Sequence, residues 1–397
     1  MKGKLALDGG NPVRREMLPY GRQTIESADV EAVRQALQDD LITTGPRVDA
    51  FEEAFAQSVG ARHAVAVSSG TAALHCAVQA LRLSPGDEVI VPSMTFAATA
   101  NAALFVGARP LFADVDPETL LIDPASLDRL LGRRSKAVIA VDYAGQPCDY
   151  PALGELAGQR GVALLADACH APGAQLDGRP VGSLAEMSCF SLHPVKHLTC
   201  GEGGMITTDD AGLAEDMRRF RNHGISLDHR ARRRKGSWYY EISRLGYNYR
   251  LTDIQCALGL SQLSRLDSWV ARRRAIAQAY DQALSGMEAV RPLKVRPGVE
   301  HAYHLYVVRL DLDRLRVGRT QVFQALRAEG IGVNVHYIPV HLHPFYRREL
   351  GTSEGLCPNA EAAYQDILTL PLFPAMAQAD QSDVLTALQK VLHAYRR

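Results

Sequence analysis

The chain has 397 residues, of which 47% are hydrophobic and 22% charged, with basic and acidic side chains balanced at 44 each. This length exceeds a typical single domain, so a large domain with a smaller companion is expected. A formal charge of zero offers nothing that draws the whole chain to nucleic acid or an anionic membrane.

The opening MKGKLALDGGNPVRREML lacks the apolar stretch of a signal peptide, and no run of about 18 apolar residues follows, so a cytoplasmic protein is expected. Cys76, Cys148, Cys169, Cys189, Cys200, Cys256 and Cys357 include no C-x-x-C pair and read as buried, reduced thiols.

Between about residues 60 and 210, short β-rich runs alternate with helical stretches. The runs are HAVAV (63–67), DEVIVPS (87–93), RPLFADV (109–115), KAVIAVDYAG (136–145), VALLADA (162–168), MSCFSLH (187–193) and GMITTDD (204–210). Several are almost continuously apolar, as strands covered on both faces must be, so the alternation predicts an α/β fold with a largely parallel sheet. Two helical patterns follow, LTDIQCALGLSQLSRLDSWV and ARRRAIAQAYDQALSGM. After them come strand-like HAYHLYVVRLDL (301–312), a helix at 319–329, strand-like GVNVHY (332–337) and a closing helix near 380–395. The expected division is a large domain over 1–266 and a smaller α+β domain over 267–397.

The first strand gives out at Ser68, and Ser69-Gly70-Thr71 open an amphipathic helix. A helix N-terminus presents free N–H groups and partial positive charge to a phosphate, while glycine lets the backbone come close. The same residues serve equally well as plain helix caps. Neither G-x-x-x-x-G-K-S/T nor a convincing G-x-G-x-x-G is present, so an ordinary nucleotide loop is not indicated. VALLADACHAPG sets Asp167 and His170 at a strand end, where α/β sheets form their ligand crevice. A carboxylate there must be solvated, paired or liganded; it suits a cationic ring nitrogen, or a cap on the next turn.

FSLHPVKHLTCGEGG ends another apolar strand with Lys196, one of seven lysines among the 44 basic residues. Burial depresses the pKa of an amine and makes it nucleophilic, which arginine cannot offer; the plainer role is an ion-paired lysine. Ser191 and His193 precede it, and the glycines of GEGG permit a tight turn. Pro194 breaks any helix joining His193 to His197 and no third ligand is placed, so no metal is expected; HLH at 341–343 is equally sparse. Together, a phosphate cradle, a strand-end aspartate and a strand-end lysine fit pyridoxal 5′-phosphate. That cofactor needs an amine, an anion at its pyridinium nitrogen and N–H groups for its phosphate.

The motifs LITTGPRVDAFEEAFA, VSSGTAALH, DEVIVPSMTFAATANA, ADACHAPGA, FSLHPVKHLTCGEGG, FRNHGI, GYNYRLTDIQCALGLSQL and VHYIPVH extend this from LPYGRQTI to PLFP. By them the chain resembles the DegT/StrS-type sugar aminotransferases, pyridoxal-phosphate enzymes of the aspartate-aminotransferase fold (fold type I). The resemblance implies that Lys196 binds the cofactor covalently, Asp167 pairs with its ring nitrogen, Phe96 stacks on the ring and His170 sits beside it. It implies Ser69, Gly70, Thr71 and Ser191 as phosphate ligands, with Asn248 reaching in from a neighbouring subunit of a homodimer. Tyr20, Thr43, Thr44, Gly45, Arg250, Val335, His336 and Tyr337 are implied at the sugar-nucleotide site.

Sugar-dehydrating relatives carry histidine in place of the lysine, so Lys196 implies transamination, with the cofactor alternating with pyridoxamine 5′-phosphate. VDYAG, the YNYR block and VHYIPVH most resemble members that aminate C4 of a UDP-linked 4-keto-6-deoxy-N-acetylhexosamine, on the way to pseudaminic acid, with L-glutamate as donor. Competing readings are the same reaction on UDP-4-keto-arabinose or GDP-4-keto-6-deoxymannose, a sugar dehydratase, or a non-enzymatic regulator on this fold. For the last, no spare segment is long enough to form a DNA-binding module. DHRARRRKGSWYY (228–240), with six basic residues counting His229, reads as a solvated loop or as a contact for the substrate diphosphate. Nucleic-acid binding would need a broader basic face.

Overall fold

The computed structural model describes residues 4–227, 232 and 236–397. Five strands come first: β1 (His63–Val67), β2 (Glu88–Pro92), β3 (Arg109–Ala113), β4 (Ser135–Val141) and β5 (Ala163–Asp167). A short hairpin of β6 (Gln175–Leu176) and β7 (Arg179–Pro180) precedes β8 (Met187–Ser191) and β9 (Gly204–Thr208). Without the hairpin these strands make a sheet in the order β1-β9-β8-β5-β4-β2-β3. Strand β9 is antiparallel to both neighbours, and every other pairing is parallel. The C-terminal ends of the remaining six strands therefore share one edge, joined there by the start of β9. Strands β2 and β9 are buried at every position, which explains the apolar Val89-Ile90-Val91 and Met205-Ile206 at their centres. The fold is α/β and mostly parallel, as its sequence pattern predicts.

Beyond it, β10 (Val290–Pro292), β12 (Tyr306–Leu310) and β13 (Ile367–Leu370) form a smaller antiparallel sheet, while β11 (Val299–Glu300) extends the β6–β7 hairpin. Two hydrophobic clusters result. Helix Leu266–Leu284 gives Leu266 and Val270 to the first and Ile276, Tyr280 and Leu284 to the second. The chain also crosses between them: Leu5 and Leu18 join the second cluster, Tyr346 and Ala360 the first.

Three sequence expectations shift. The pattern read as helices meeting near residue 270 instead divides at Ser264–Arg265, where Arg265 leaves helical geometry to ion-pair with Asp29. The strand read in HAYHLYVVRLDL pairs only from Tyr306; before it, Ala302 and Leu305 donate their N–H groups to Gly145 and Ala144. GVNVHY is no ladder strand. The Gly332 N–H donates to the Leu18 carbonyl, the Val333 N–H to that of Ile331, and Asn334 bridges Thr369; beyond them side chains take over, the Val335 N–H going to Asn334 Oδ1 and the His336 carbonyl accepting from Tyr143.

Candidate active site

The shared edge of the large sheet opens into a cavity of about 520 Å³. Its walls include Tyr20, Ser69, Gly70, Thr71, Phe96, Asp167, His170, Ser191, Lys196, Val335, His336 and Tyr337. One cavity thus collects the residues separately singled out at three strand ends and in the VHY segment.

Two close approaches build the anion-binding side. Helix Gly70–Ala80 starts directly after β1, and the Ser69 side chain caps it by accepting from the Ala72 N–H at 3.1 Å. The plain capping role is therefore realised, in a residue that also faces the cavity. A Cβ on Gly70 would lie 2.8 Å from the Ser191 Cβ, and one on Gly204 only 2.3 Å from the Ser69 carbonyl oxygen. Both glycines are what let the helix N-terminus sit over the ends of β8 and β9. The first N–H groups of that helix have no partner within it, so they and the hydroxyls of Thr71 and Ser191 suit a phosphate.

Opposite stands Asp167, the last residue of β5. Its Oδ2 accepts from Thr99 Oγ1 at 2.7 Å, Thr99 is bonded to Thr95 at 2.7 Å, and Oδ1 accepts from the Cys169 N–H at 3.3 Å. Buried polar side chains thus fix the carboxylate beside open cavity. Next to it, Asp142 follows β4 wholly buried; desolvation pushes its carboxyl up to about 7, and its Oδ2 has no partner among the described residues.

Lys196 lies on the turn between β8 and β9, its N–H bonded to the His193 carbonyl. Desolvation lowers its pKa, against the pull of Cys169 and Asp167. Buried imidazoles crowd it. His170 packs on His304 with ring centroids 4.4 Å apart, and His304 on His197 at 5.6 Å. Burial first, and the Lys196 charge after it, holds His170 and His304 well below the ordinary imidazole value, so both are neutral. His170 Nε2 bonds the Tyr337 hydroxyl at 3.0 Å, whereas its Nδ1 keeps no partner among the described residues. Gly145, at φ 103°, permits this crowding, since a Cβ there would stand 2.8 Å from the His170 carbonyl oxygen and 2.9 Å from the His304 nitrogen. Phe96 stands at the cavity wall 60% exposed, its ring 6.1 Å from that of Tyr337.

The other residues singled out in the sequence lie elsewhere. Thr44 and Arg250 line a separate cleft of about 290 Å³ with Asp49, Arg218 and Asn222. Arg250 donates to Asn222 Oδ1 at 2.7 Å, the Gly45 N–H to Asp253 at 2.7 Å, and Thr43 bridges Thr252. Asn248 is exposed beside them, bridged to Asn222. Close in sequence is a row of exposed apolar side chains, Trp238 (85%), Ile242 (66%) and Leu245 (77%). Most of the basic run at 228–235 lies outside the described residues; Arg232 stacks over Tyr240 at 4.5 Å.

Sequence reasoning missed Thr99, Asp142 and His304. The signals were present but faint: a threonine within an alanine-rich helix, the aspartate of VDYAG, and a second histidine in HAYH. Among the described residues, no group of three or more His, Cys, Asp or Glu is placed to hold a metal ion, and no helix is long and apolar enough to cross a membrane.

The observed set fits pyridoxal 5′-phosphate. An uncovered helix N-terminus, a braced carboxylate and a lysine of lowered pKa face one cavity, beside an imidazole with an unspent ring nitrogen. Comparison with known proteins agrees. The spore coat polysaccharide biosynthesis protein SpsC of Bacillus subtilis is 42% identical over 96% of this chain and 98% of its own. PseC of Helicobacter pylori, an aminotransferase involved in the biosynthesis of pseudoaminic acid, superposes with a TM-score of 0.90 at 29% identity, over 96% of this chain and 100% of PseC. The sugar aminotransferase Spr1654 of Streptococcus pneumoniae, described as putative and solved in a pyridoxamine-phosphate form, gives 0.89 at 30% identity, over 95% and 99%. Residues 23–389 match the DegT/DnrJ/EryC1/StrS aminotransferase family, and the chain belongs to it as a pyridoxal-phosphate-dependent aminotransferase of fold type I.

Proposed function

We propose that the protein transfers the amino group of L-glutamate to C4 of a nucleotide-linked 4-keto-6-deoxy sugar, specifically a UDP-4-keto-6-deoxy-N-acetylhexosamine, giving the 4-amino sugar and 2-oxoglutarate. The observation that carries the reading is the single cavity in which Lys196, Asp167 and the Ser69–Thr71 helix start converge. The likeness to PseC and SpsC, over nearly the full length of each chain, supports a sugar as acceptor.

Bound there, the cofactor supplies an electron sink that lets a C–H bond next to nitrogen give up its proton. Lys196 takes and returns that proton, and its lowered pKa lets one amine serve both as covalent anchor and as general acid–base. Asp167, braced by Thr99, keeps the ring nitrogen protonated by ion pairing. Ser69, Gly70, Thr71 and Ser191 hold the phosphate, Phe96 covers a ring face, and His170 stands beside the ring as a neutral hydrogen-bonding group. Tyr20 and Val335–Tyr337 line the route by which the sugar enters. Thr43, Thr44, Gly45, Asn248 and Arg250 lie outside the lining of this cavity and would serve the site of a second copy, so the working unit is a homodimer.

The test is a panel of UDP-, dTDP- and GDP-linked 4-keto sugars with glutamate, reading 2-oxoglutarate and the amino-sugar product. The UDP-N-acetylhexosamine should turn over fastest; turnover confined to UDP-4-keto-arabinose or a GDP sugar would replace the proposed acceptor. A dehydrated product would replace the reaction.

A further inference from the structure

Lys196 also lines a second, much smaller pocket of about 10 Å³. With it there stand Thr24, His197, Gln262 and Arg273. Three buried polar atoms of this lining have no hydrogen-bond partner among the described residues: Thr24 Oγ1, His197 Nδ1 and Arg273 Nε. His197 and Arg273 are only 2% and 1% exposed.

Each of these atoms has a defined character. His197 Nε2 lies 3.0 Å from the Ala302 carbonyl oxygen and must donate to it, so in the neutral ring Nδ1 is a bare acceptor. Arg273 spends Nη1 on the carbonyls of Tyr303, His304 and Leu372, and its Nε–H remains an unspent donor. The Thr24 hydroxyl can give or take. One acceptor, one donor and one hydroxyl around a space of this size match a buried water, which needs roughly 10–15 Å³ and two to four polar partners.

We infer that Thr24, His197 and Arg273 hold a structural water against Lys196, and that this water is the hydrogen-bond partner of its amine in the second pocket. It accepts from Arg273 Nε–H, donates to His197 Nδ1, and divides its remaining hydrogen and lone pair between Thr24 and Lys196. Arg22 and Gln23, both exposed, line the same pocket and lead from the water to bulk solvent. Lys196 thereby exchanges protons with solvent without opening the substrate side; no group is oxidised or reduced, and each proton passed outward is replaced by one from solvent. Thr24, His197 and Arg273 are positioning residues in this arrangement. The other charged or titratable groups acting on Lys196 are Asp167, Cys169, His170, His304 and His336.

The inference rests on Lys196 as the reacting amine, yet its test needs no turnover. A crystal structure that resolves ordered water should show a peak within hydrogen-bond distance of Thr24 Oγ1, His197 Nδ1 and Arg273 Nε, lost in Thr24→Val. Competitive acetylation of cofactor-free protein, read at Lys196 by mass spectrometry across pH, should place the Lys196 titration about half a unit lower in Thr24→Val, because the protonated amine has lost an acceptor. Thr24→Ser should restore both, and a melt near that of wild type shows that the fold is kept; Thr24→Ala replaces the valine variant if it does not fold. Absence of the peak in wild type overturns the water site, and an unshifted titration in Thr24→Val overturns its action on Lys196. A protein that passes both tests but fails to use glutamate would sink the proposed reaction and leave this inference standing.

Discussion

Residues that look equally functional in the sequence end in two unlike settings. Around Lys196, polar groups are buried, neutral or braced: the rings of His170, His304 and His197 pack at a tilt and are uncharged, and Asp167 is held by Thr99. By contrast Asn248 is exposed and Arg250 half-exposed, and close to them in sequence Trp238 and Leu245 are exposed as well. The first setting is preorganised, so its chemistry depends on few atoms and tolerates little change. The second is open to solvent, and in the proposed homodimer the other copy would cover it, as interfaces cover exposed apolar side chains.

The sharpest way to break the comparison is Lys196→Arg, which keeps the charge and loses the titratable amine. Turnover should fall by about four orders of magnitude or more, and borohydride should no longer trap the cofactor on the peptide holding residue 196. Lys196→Ala transaminating at the wild-type rate would refute the assignment. Asp167→Asn should lower the glutamate half-reaction by about 10²–10³-fold, with the cofactor still bound through Lys196.

The exposed setting calls for mixing experiments. If Asn248 serves the second copy, Lys196→Ala and Asn248→Ala proteins, each impaired alone, should on equal mixing recover about a quarter of wild-type activity, from the one intact site in each hybrid. No recovery would place Asn248 in its own chain's site.

A smaller effect is expected at the glycines. Gly204→Ala forces the Ser69 backbone away and should cost about 1–3 kcal/mol of stability, with weaker cofactor binding; denaturation with and without the cofactor measures both.

The last effect is read on stability alone, in its acid response. Burial depresses His336 and His301 to about 3 and holds His170 well below its ordinary value. A histidine of depressed folded pKa binds its proton more readily when unfolded. Stability should therefore be flat above about pH 6.5 and decline as pH falls towards 3, with no matching loss on the alkaline side from these groups. Thermal melts across that range would show it, and a melting temperature unchanged down to pH 4 would contradict it.

The main sheet was legible because its strands are covered on both faces and read as apolar runs, each ending in a polar residue at the working edge. Lys196, Asp167 and Ser69 could be picked out for that reason. What could not be read was contact between distant segments. Thr99 braces Asp167 from 68 residues away, and Gly145 brings His304 to His170 across the chain. GVNVHY has strand-like composition, but Asn334 and Tyr143 take the hydrogen bonds a ladder would use, a choice composition does not record. The helix break at Ser264–Arg265 escaped notice because apolar spacing continues through it.

Helix Leu266–Leu284 has 19 residues and packs its two ends into different hydrophobic clusters, while the N-terminal segment and the stretch around Tyr346 cross the other way. Each cluster is thus completed by chain that belongs in sequence to the other. Heating cannot melt one and leave its neighbour whole, so calorimetry should record one cooperative transition. A cut at residue 266 should yield two fragments that aggregate apart and fold only when mixed.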